Sequence, residues 1–413
     1  MSAHEVAAPG PGRGLFPDDL LRTCISCGFC LSACPTYQDT RSEASSPRGR
    51  INLMRALEAG TLQEDDVREE FSFCLGCRAC EPVCPAGVKY GALLEHARDA
   101  VGPANDPKLR GMLLAVGRPW RTRLVGRILR ISQLLGLPRI APTRALRATG
   151  KAAPLVASSA ALRVRRVVGP ENGEPASLFL GCVGHLMFSG AAHAACGTLA
   201  AGGYCVTTPP EQGCCGALHA HNGDLDGARQ LADWTVRSFA GTKGPIVTTA
   251  GGCGAFMADY GPLLGTPEAE DFGSRVRDYS TLLAGRPLPQ GAGGQTAPIR
   301  VAYQDSCHLR NGQKVTLEPR ALLAALPGVE VVDLPSAGRC CGAAGTYALM
   351  RPDDSLRFLD VKLAEIAEAR VDAIVSGNPG CLLQFRQGVG RRDDLKGVRV
   401  LHTAELVAER LPQ

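Results

Sequence analysis

Cys24-Ile25-Ser26-Cys27-Gly28-Phe29-Cys30-Leu31-Ser32-Ala33-Cys34-Pro35 returns fifty residues later as Cys74-Leu75-Gly76-Cys77-Arg78-Ala79-Cys80-Glu81-Pro82-Val83-Cys84-Pro85. Both stretches read C-x2-C-x2-C-x3-C-P, a spacing that holds two iron–sulfur cubes. Three thiolates at steps of three residues wrap one face of a cube, while the fourth, set off by a proline that ends the turn, reaches the other. The expected ligand sets are therefore crossed. Cys24, Cys27, Cys30 and Cys84 hold one [4Fe-4S] cluster, and Cys74, Cys77, Cys80 and Cys34 hold the second. A pair of zinc sites is the competing reading, but zinc takes two C-x-x-C pairs and has no use for a third in-line Cys or the C-P ending.

At 413 residues, 45% of them apolar, the chain is long enough for two or three packed domains. Its eighteen cysteines cluster as C-x-x-C and C-C, which suits metal ligation in a reducing compartment, and hence a cytoplasmic protein, better than a disulfide framework. Met1 to Asp19 carries Pro and Gly but no apolar segment, so it reads as a flexible tail and not as a secretory signal or membrane anchor. No run approaches the ~20 apolar residues that span a bilayer. The formal charge of +5 is unevenly spread: between Pro107 and Pro170 stand fourteen Lys or Arg and no Asp or Glu.

Residues 20–100 read as a two-cluster ferredoxin domain whose clusters replace much of the apolar core that so short a segment lacks. Between the motifs, Ser46-Pro47 opens a helix with Ile51, Met54 and Leu57 on one face, which makes the domain an all-α one. Arg48 and Arg50 in its first turn read as solvated arginines, a docking role being the alternative. Residues 101–176 form a basic helical linker. In it Pro119 opens a helix with Trp120, Leu124, Ile128, Ile131 and Leu135 along a stripe, Arg123, Arg127 and Arg130 mostly beside it, and an end before Pro138. Such a helix either lies on an anionic membrane or a partner, or covers the chain's own core with a solvated basic face. Nucleic-acid binding is not expected, because no motif accompanies the charge.

The second half is a repeat of about 126 residues, with domains at 177–290 and 298–410. Cys182, Cys214, Cys215, Gly216 and Cys253 lie over Cys307, Cys340, Cys341, Gly342 and Cys381. Apolar strands lead into the first cysteine of each copy (Leu178 to Leu180, Val301 to Tyr303) and into the last (Ile246-Val247, Ile374-Val375), with helices between (Asp224 to Phe239, Asp354 to Ala369). The fold class is accordingly α+β and multidomain, an all-α ferredoxin-like domain followed by two tandem α/β units. Every key cysteine falls at the carboxyl end of a strand, where open sheets place their sites.

Neighbouring cysteines on a strand point oppositely, so only an irregular loop aims both at one centre, and Gly216 and Gly342 permit that loop. The sets Cys182, Cys214, Cys215, Cys253 and Cys307, Cys340, Cys341, Cys381 each supply enough sulfur for a further Fe-S centre, a redox dithiol or vestigial cysteines being the alternatives. Cys196 and Cys205 read as buried hydrophobes. His185 and His308 adjoin the cysteines as structural residues or as groups that bond a cluster sulfur. No dinucleotide fingerprint, P-loop, G-x-S-x-G elbow or HExxH helix appears, so there is no evident catalytic residue or substrate site.

Cys27-Gly28-Phe29-Cys30, Cys34-Pro35-Thr36-Tyr37-Gln38, Ser46-Pro47-Arg48-Gly49-Arg50-Ile51, Gly251-Gly252-Cys253-Gly254-Ala255-Phe256 and Cys340-Cys341-Gly342-Ala343-Ala344-Gly345-Thr346-Tyr347-Ala348-Leu349 together resemble the iron–sulfur subunits of bacterial glycolate oxidase (glycolate dehydrogenase) over nearly the full length. The resemblance implies a ferredoxin domain and two CCG domains, and FAD-bearing partner subunits that oxidise glycolate to glyoxylate. It also implies a membrane quinone or comparable acceptor, which the basic helix, if it lies on a membrane, would serve through peripheral association at the inner face of the cell membrane. Related subunits of lactate and glycerol-3-phosphate dehydrogenases and of heterodisulfide reductase share the domains. In the last of these the motif ends in C-x-x-C, whereas Phe256 and Gln384 stand here, which argues against five-cysteine clusters and thiol reductase chemistry.

Overall fold

The computed structural model describes residues 12–102, 107–137, 154–158, 161–289 and 297–412. Most of the expected tail, most of the Ala/Arg/Pro-rich part of the linker and the join between the repeats lie outside them. The chain divides into two compact units, Met1–Asp106 with His219–Leu225, and Pro107–Leu218 with Asp226–Gln413.

In the first unit five helices, α1 (Asp18–Arg22), α2 (Pro35–Thr40), α3 (Pro47–Glu58), α4 (Glu64–Phe73) and α5 (Tyr90–Ala100), surround the cysteine loops, and no strand occurs among the described residues. α3 begins as its sequence dictates. Ser46 Oγ accepts from Gly49 N at 3.0 Å and Pro47 fills the first position, where a missing N–H costs nothing. Ile51, Met54 and Leu57 turn inward against Val67 and Phe71 of α4 and Leu93 and Leu94 of α5. Phe16 and Leu21 join that core, and Glu58 accepts from Gly14 N and Leu15 N.

The second unit begins with two helices, α6 (Pro107–Gly117) and α7 (Pro119–Leu134), which pack on each other. Two sheets follow. β1 (Val167–Val168), β2 (Glu174–Phe179), β3 (Tyr204–Thr207), β4 (Ile246–Thr248) and β5 (Val276–Asp278) form the first in the order β1-β3-β2-β4-β5, parallel except for β1. β6 (Ile299–Tyr303), β7 (Val329–Val332), β8 (Ala373–Ser376) and β9 (Arg399–His402) form the second, wholly parallel, in the order β7-β6-β8-β9. Setting β1 aside, the two orders are one topology used twice, as the repeat in the sequence requires. One core runs through both copies: Leu178, Val206 and Val247 of the first sheet and Val301, Ala373 and Val375 of the second belong to a single apolar cluster. The helices Ser189–Ala201 and Thr403–Arg410 meet within it.

The pairing brings the two cysteine-bearing edges together. The helix Gly251–Ala258, which carries Cys253, lies against a π-helical turn, His308–Gly312, that starts one residue after Cys307. Gly251 N donates to Gly377 O at 3.0 Å and Gln313 Nε2 to Gly251 O at 3.3 Å. Glycine is needed at 251, since a Cβ there would strike Ser306 and Leu309.

Candidate metal centres

Each ferredoxin-type loop uses two left-handed residues at matching places. Ser26 and Gly28 (φ 56° and 90°) serve the first, Gly76 and Arg78 (φ 60° and 58°) the second. The same curl is thus made twice with glycine at opposite positions, and the strain borne by Ser26 and Arg78, about 1 kcal/mol each, marks it as imposed by the loop's purpose. Left-handed residues in tight loops help build concave arrangements of N–H groups that receive anionic sulfur. Gly76 N donates to Cys74 Sγ at 3.4 Å.

Two hollows result. One, of about 410 Å³, is lined by Cys24, Cys27, Cys30 and Cys84, with Cys80 also on its wall. The other, of about 300 Å³, is lined by Cys34, Cys74, Cys77 and Cys80. The fourth cysteine of each motif lines the hollow beside the other motif's first three, and Cys80 lines both. Pro47, Cys80 and Tyr90 border both hollows. Among the described residues no three His, Cys, Asp or Glu side chains converge closely enough to hold a single metal ion.

Arginines hold these loops in a way the sequence reading missed. Arg50, expected to be solvated, is completely buried. Its Nε donates to Glu70 O at 2.7 Å and its Nη1 to Ser45 O at 2.7 Å and Thr36 Oγ1 at 3.1 Å, with the Glu70 carboxylate 3.5 Å away. Burial opposes its charge, but Cys74, Tyr90, Cys34 and Glu70 outweigh that and raise its pKa, so it is a fixed cation bordering the second hollow. A helical stripe placed Ile51 and Met54 correctly, but it gave no sign that the residue between Gly49 and Ile51 also points inward. Arg48 donates to Ser26 O at 3.1 Å, Arg55 to Cys24 O at 2.7 Å and Arg98 to Cys74 O at 2.6 Å. Tyr90 Oη donates to Cys74 Sγ at 3.7 Å. Burial, with Cys77 and Cys74 nearby, pushes the Cys80 thiol well up, so crowded sulfur here requires a positive partner before it ionises.

The repeats gather their cysteines as well. Cys182 Sγ lies 3.5 Å from Cys214 Sγ, and side-chain contacts continue from Cys214 to Cys215 and from Cys215 to Cys253. In the second copy the chain of contacts runs Cys307, Cys340, Cys341, Cys381. Gly216 and Gly342 have φ of 90° and 85°, and a Cβ on the first would stand 2.9 Å from Ala228 O, on the second against Ser355 O. The turn that aims adjacent cysteines at one place therefore admits only glycine.

Around the two sets the surroundings differ. In the first, Tyr260 Oη donates to Cys215 O at 2.6 Å, and Phe256 is buried beside Gly216. In the second, Gln384 Nε2 donates to Ser355 Oγ at 2.8 Å, whose hydroxyl donates to Gly342 O at 2.9 Å. Phe256 and Gln384, which stand where a fifth cysteine would, thus brace the glycine turns. Asn378 Nδ2 donates to Cys381 Sγ at 3.3 Å. Cys196 lies in the apolar core, and burial raises its thiol to about 11. His185 Nε2 meets Leu162 O at 3.0 Å and burial lowers its pKa, as befits a structural ring.

Residues 20–88 match the 4Fe-4S dicluster domain family, and residues 176–258 and 301–386 each match the cysteine-rich domain family. The probable glycolate oxidase iron-sulfur subunit of Bacillus subtilis is 37% identical across 94% of this chain and 94% of its own length. The glycolate oxidase iron-sulfur subunit of Escherichia coli is 33% identical across 89% of this chain and 90% of its own. Lactate utilization protein A of Geobacillus thermodenitrificans, at 30% identity, covers only 57% of this chain.

Proposed function

Because the chain belongs to the family of glycolate oxidase iron–sulfur subunits, we propose that it is the electron-transfer subunit of a complex whose FAD-bearing partners oxidise glycolate to glyoxylate. The partners take the electron pair from the 2-hydroxy acid, and this chain conducts it to a quinone or similar acceptor at the inner face of the membrane. The observation that carries the reading is the pair of hollows with crossed cysteine linings and a common wall at Pro47, Cys80 and Tyr90.

Cys24, Cys27, Cys30 and Cys84 would hold one [4Fe-4S] cluster and Cys34, Cys74, Cys77 and Cys80 the other, in an all-α module spanning residues 20–100. Bound there, such clusters supply one-electron carriers. The rest is the work of this chain's residues. Arg48, Arg55 and Arg98 fix the carbonyls of the loops and so hold their shape. Arg50 offsets negative charge at the second hollow without taking up a proton, and a nearby fixed cation favours the more reduced, more negative state there. The wall formed by Pro47, Cys80 and Tyr90 keeps the two centres adjacent. Cys182, Cys214, Cys215, Cys253 and Cys307, Cys340, Cys341, Cys381 would hold a further Fe-S centre in the cysteine-rich domains, 177–290 and 298–410.

Cys27→Ser tests the reading. Quinone-linked glycolate turnover is expected to vanish while reduction of an artificial dye by the flavoprotein subunits survives, with iron per complex falling. Undiminished quinone reduction in this variant would overturn the relay.

A further inference from the structure

α7 is turned inside out. Its packed side is small and polar: Thr122 and Gly126 are buried, and a Cβ at Gly126 would stand 2.7 Å from a methyl of Leu186. On the same side Gln133 binds Pro154 O at 3.0 Å and Val156 N at 2.8 Å. At about 100° per residue, Trp120, Leu124, Ile128, Ile131 and Leu135 fall on the opposite side. They are open to solvent, with Trp120 60%, Ile128 58%, Ile131 57% and Leu135 69% exposed. A helix that covered its own core would show the reverse pattern. Arg123 and Arg127 are exposed along one edge of the stripe, and Arg121 stands on the other.

We propose that this outward face of α7 is the surface by which the chain docks, lying in plane, on an anionic lipid headgroup layer. An in-plane helix sinks an apolar stripe into the boundary between headgroups and acyl chains while arginines at its edges reach the phosphates. The charge is matched to that occupant, with fourteen basic and no acidic residues between Pro107 and Pro170. The stripe is aliphatic along some 24 Å of helix with Trp120 at one end, and it carries no polar side chain with which to register a protein partner. No described helix is long and apolar enough to cross a membrane, so this is attachment to one leaflet. The inference rests on the reading that electrons leave to a membrane acceptor, and it supplies the surface that this requires.

The full chain, loaded with iron anaerobically, is sedimented with vesicles of phosphatidylcholine alone and of phosphatidylcholine with phosphatidylglycerol. Binding is expected to the anionic vesicles and to weaken with salt. Ile128→Glu with Ile131→Glu, at exposed positions that leave the fold intact by circular dichroism, is expected to lower partitioning roughly tenfold or more. Arg123→Glu with Arg127→Glu should remove most of the salt-sensitive part. Failure of the wild type to bind anionic vesicles, or equal binding by the apolar variant, overturns the proposal. So does loss of the flavoprotein partners in these variants without any vesicle binding by the wild type, which would make the face a protein interface. Iron content of the same samples reports on the relay separately, since neither pair of substitutions touches a cysteine loop.

Discussion

The two cysteine-rich repeats share a strand order and a Cys-Cys-Gly turn, yet one sulfur of the second stands apart. Cys340 and Cys381, like Cys182, Cys214 and Cys215 of the first, are pushed up, whereas Cys341 is lowered. In the second, Lys362 is buried with its Nζ donating to Ser336 O. Burial lowers its pKa, but Cys341, Cys340 and Cys381 work to keep it charged. Contacts with Cys340 and Cys381, helped by Lys362, bring the Cys341 thiol well below its ordinary value. At the matching turn of the helix Leu225–Ser238 the first repeat has Thr235 and Val236. Thr235 is buried, its hydroxyl 3.4 Å from Cys214 O, and Cys182 and Cys215 are both pushed well up. A duplicated backbone therefore does not carry duplicated sulfur chemistry: Cys341 is lowered chiefly by its contacts with Cys340 and Cys381, with the Lys362 cation as a further aid.

The largest expected effect tests what the repeats share. Gly342→Ala and Gly216→Ala should each lower unfolding free energy in urea by about 2–4 kcal/mol. The loss should be greater at 342, where the Ser355 carbonyl leaves no room and the Gln384–Ser355 brace depends on the turn. Wild-type stability in either variant would mean that the turn is not sterically enforced. Next, Lys362→Met should slow alkylation of Cys341 near pH 8 in iron-free protein, whereas Thr235→Val should leave Cys215 unchanged. Equal effects in the two copies would erase the difference drawn between them.

A smaller effect concerns the caps that end β5 and β9. Asp278 Oδ1 accepts from Ser280 N at 2.8 Å, and His402 Nδ1 accepts from Ala404 N at 3.0 Å while its Nε2 donates to Thr249 O at 2.8 Å. These bonds assign His402 the neutral ring protonated at Nε2. Burial raises Asp278 from 3.8 to about 6 and lowers His402 below 6.5. The native state thus holds the Asp278 proton more tightly than the unfolded chain, so stability present below about pH 4 is lost as pH rises through 6. For His402 the sign reverses: stability present above 6.5 is lost as pH falls below it. Asp278→Asn should flatten the slope between pH 4 and 6, and His402→Asn the slope on the acid side of 6.5. Urea titrations at a series of pH values check both, the Asp278 change being on the order of 1–3 kcal/mol. Tyr260→Phe, which deletes the bond to Cys215 O, should cost about 1 kcal/mol by the same measurement, with no effect on the second repeat's thiols.

Covalent spacing picked out the eight cysteines that line the two hollows, since a C-x2-C-x2-C loop has few ways to close. Alternation of strand and helix placed Cys182, Cys253, Cys307 and Cys381 at strand ends, and Ser46 marked the start of α3. What the sequence hid depends on rotation and on partners far along the chain. The stripe on α7 was plain, but its direction was not, because Gly126 and Thr122 give no apolar signal for the face that packs. Arg50 reads as a surface residue until Ser45 O and Glu70 O, brought from different elements, surround it. Lys362 sits within an ordinary amphipathic helix, and only the folded chain sets it beside Cys341.

Of the eight cysteines that line the two hollows, Cys27 alone is exposed, while Cys34, Cys74, Cys77 and Cys80 are all buried. A bulky thiol reagent added to iron-free protein should therefore label Cys27 ahead of those four, and the order of labelling along the chain would read out how far each loop opens in solution.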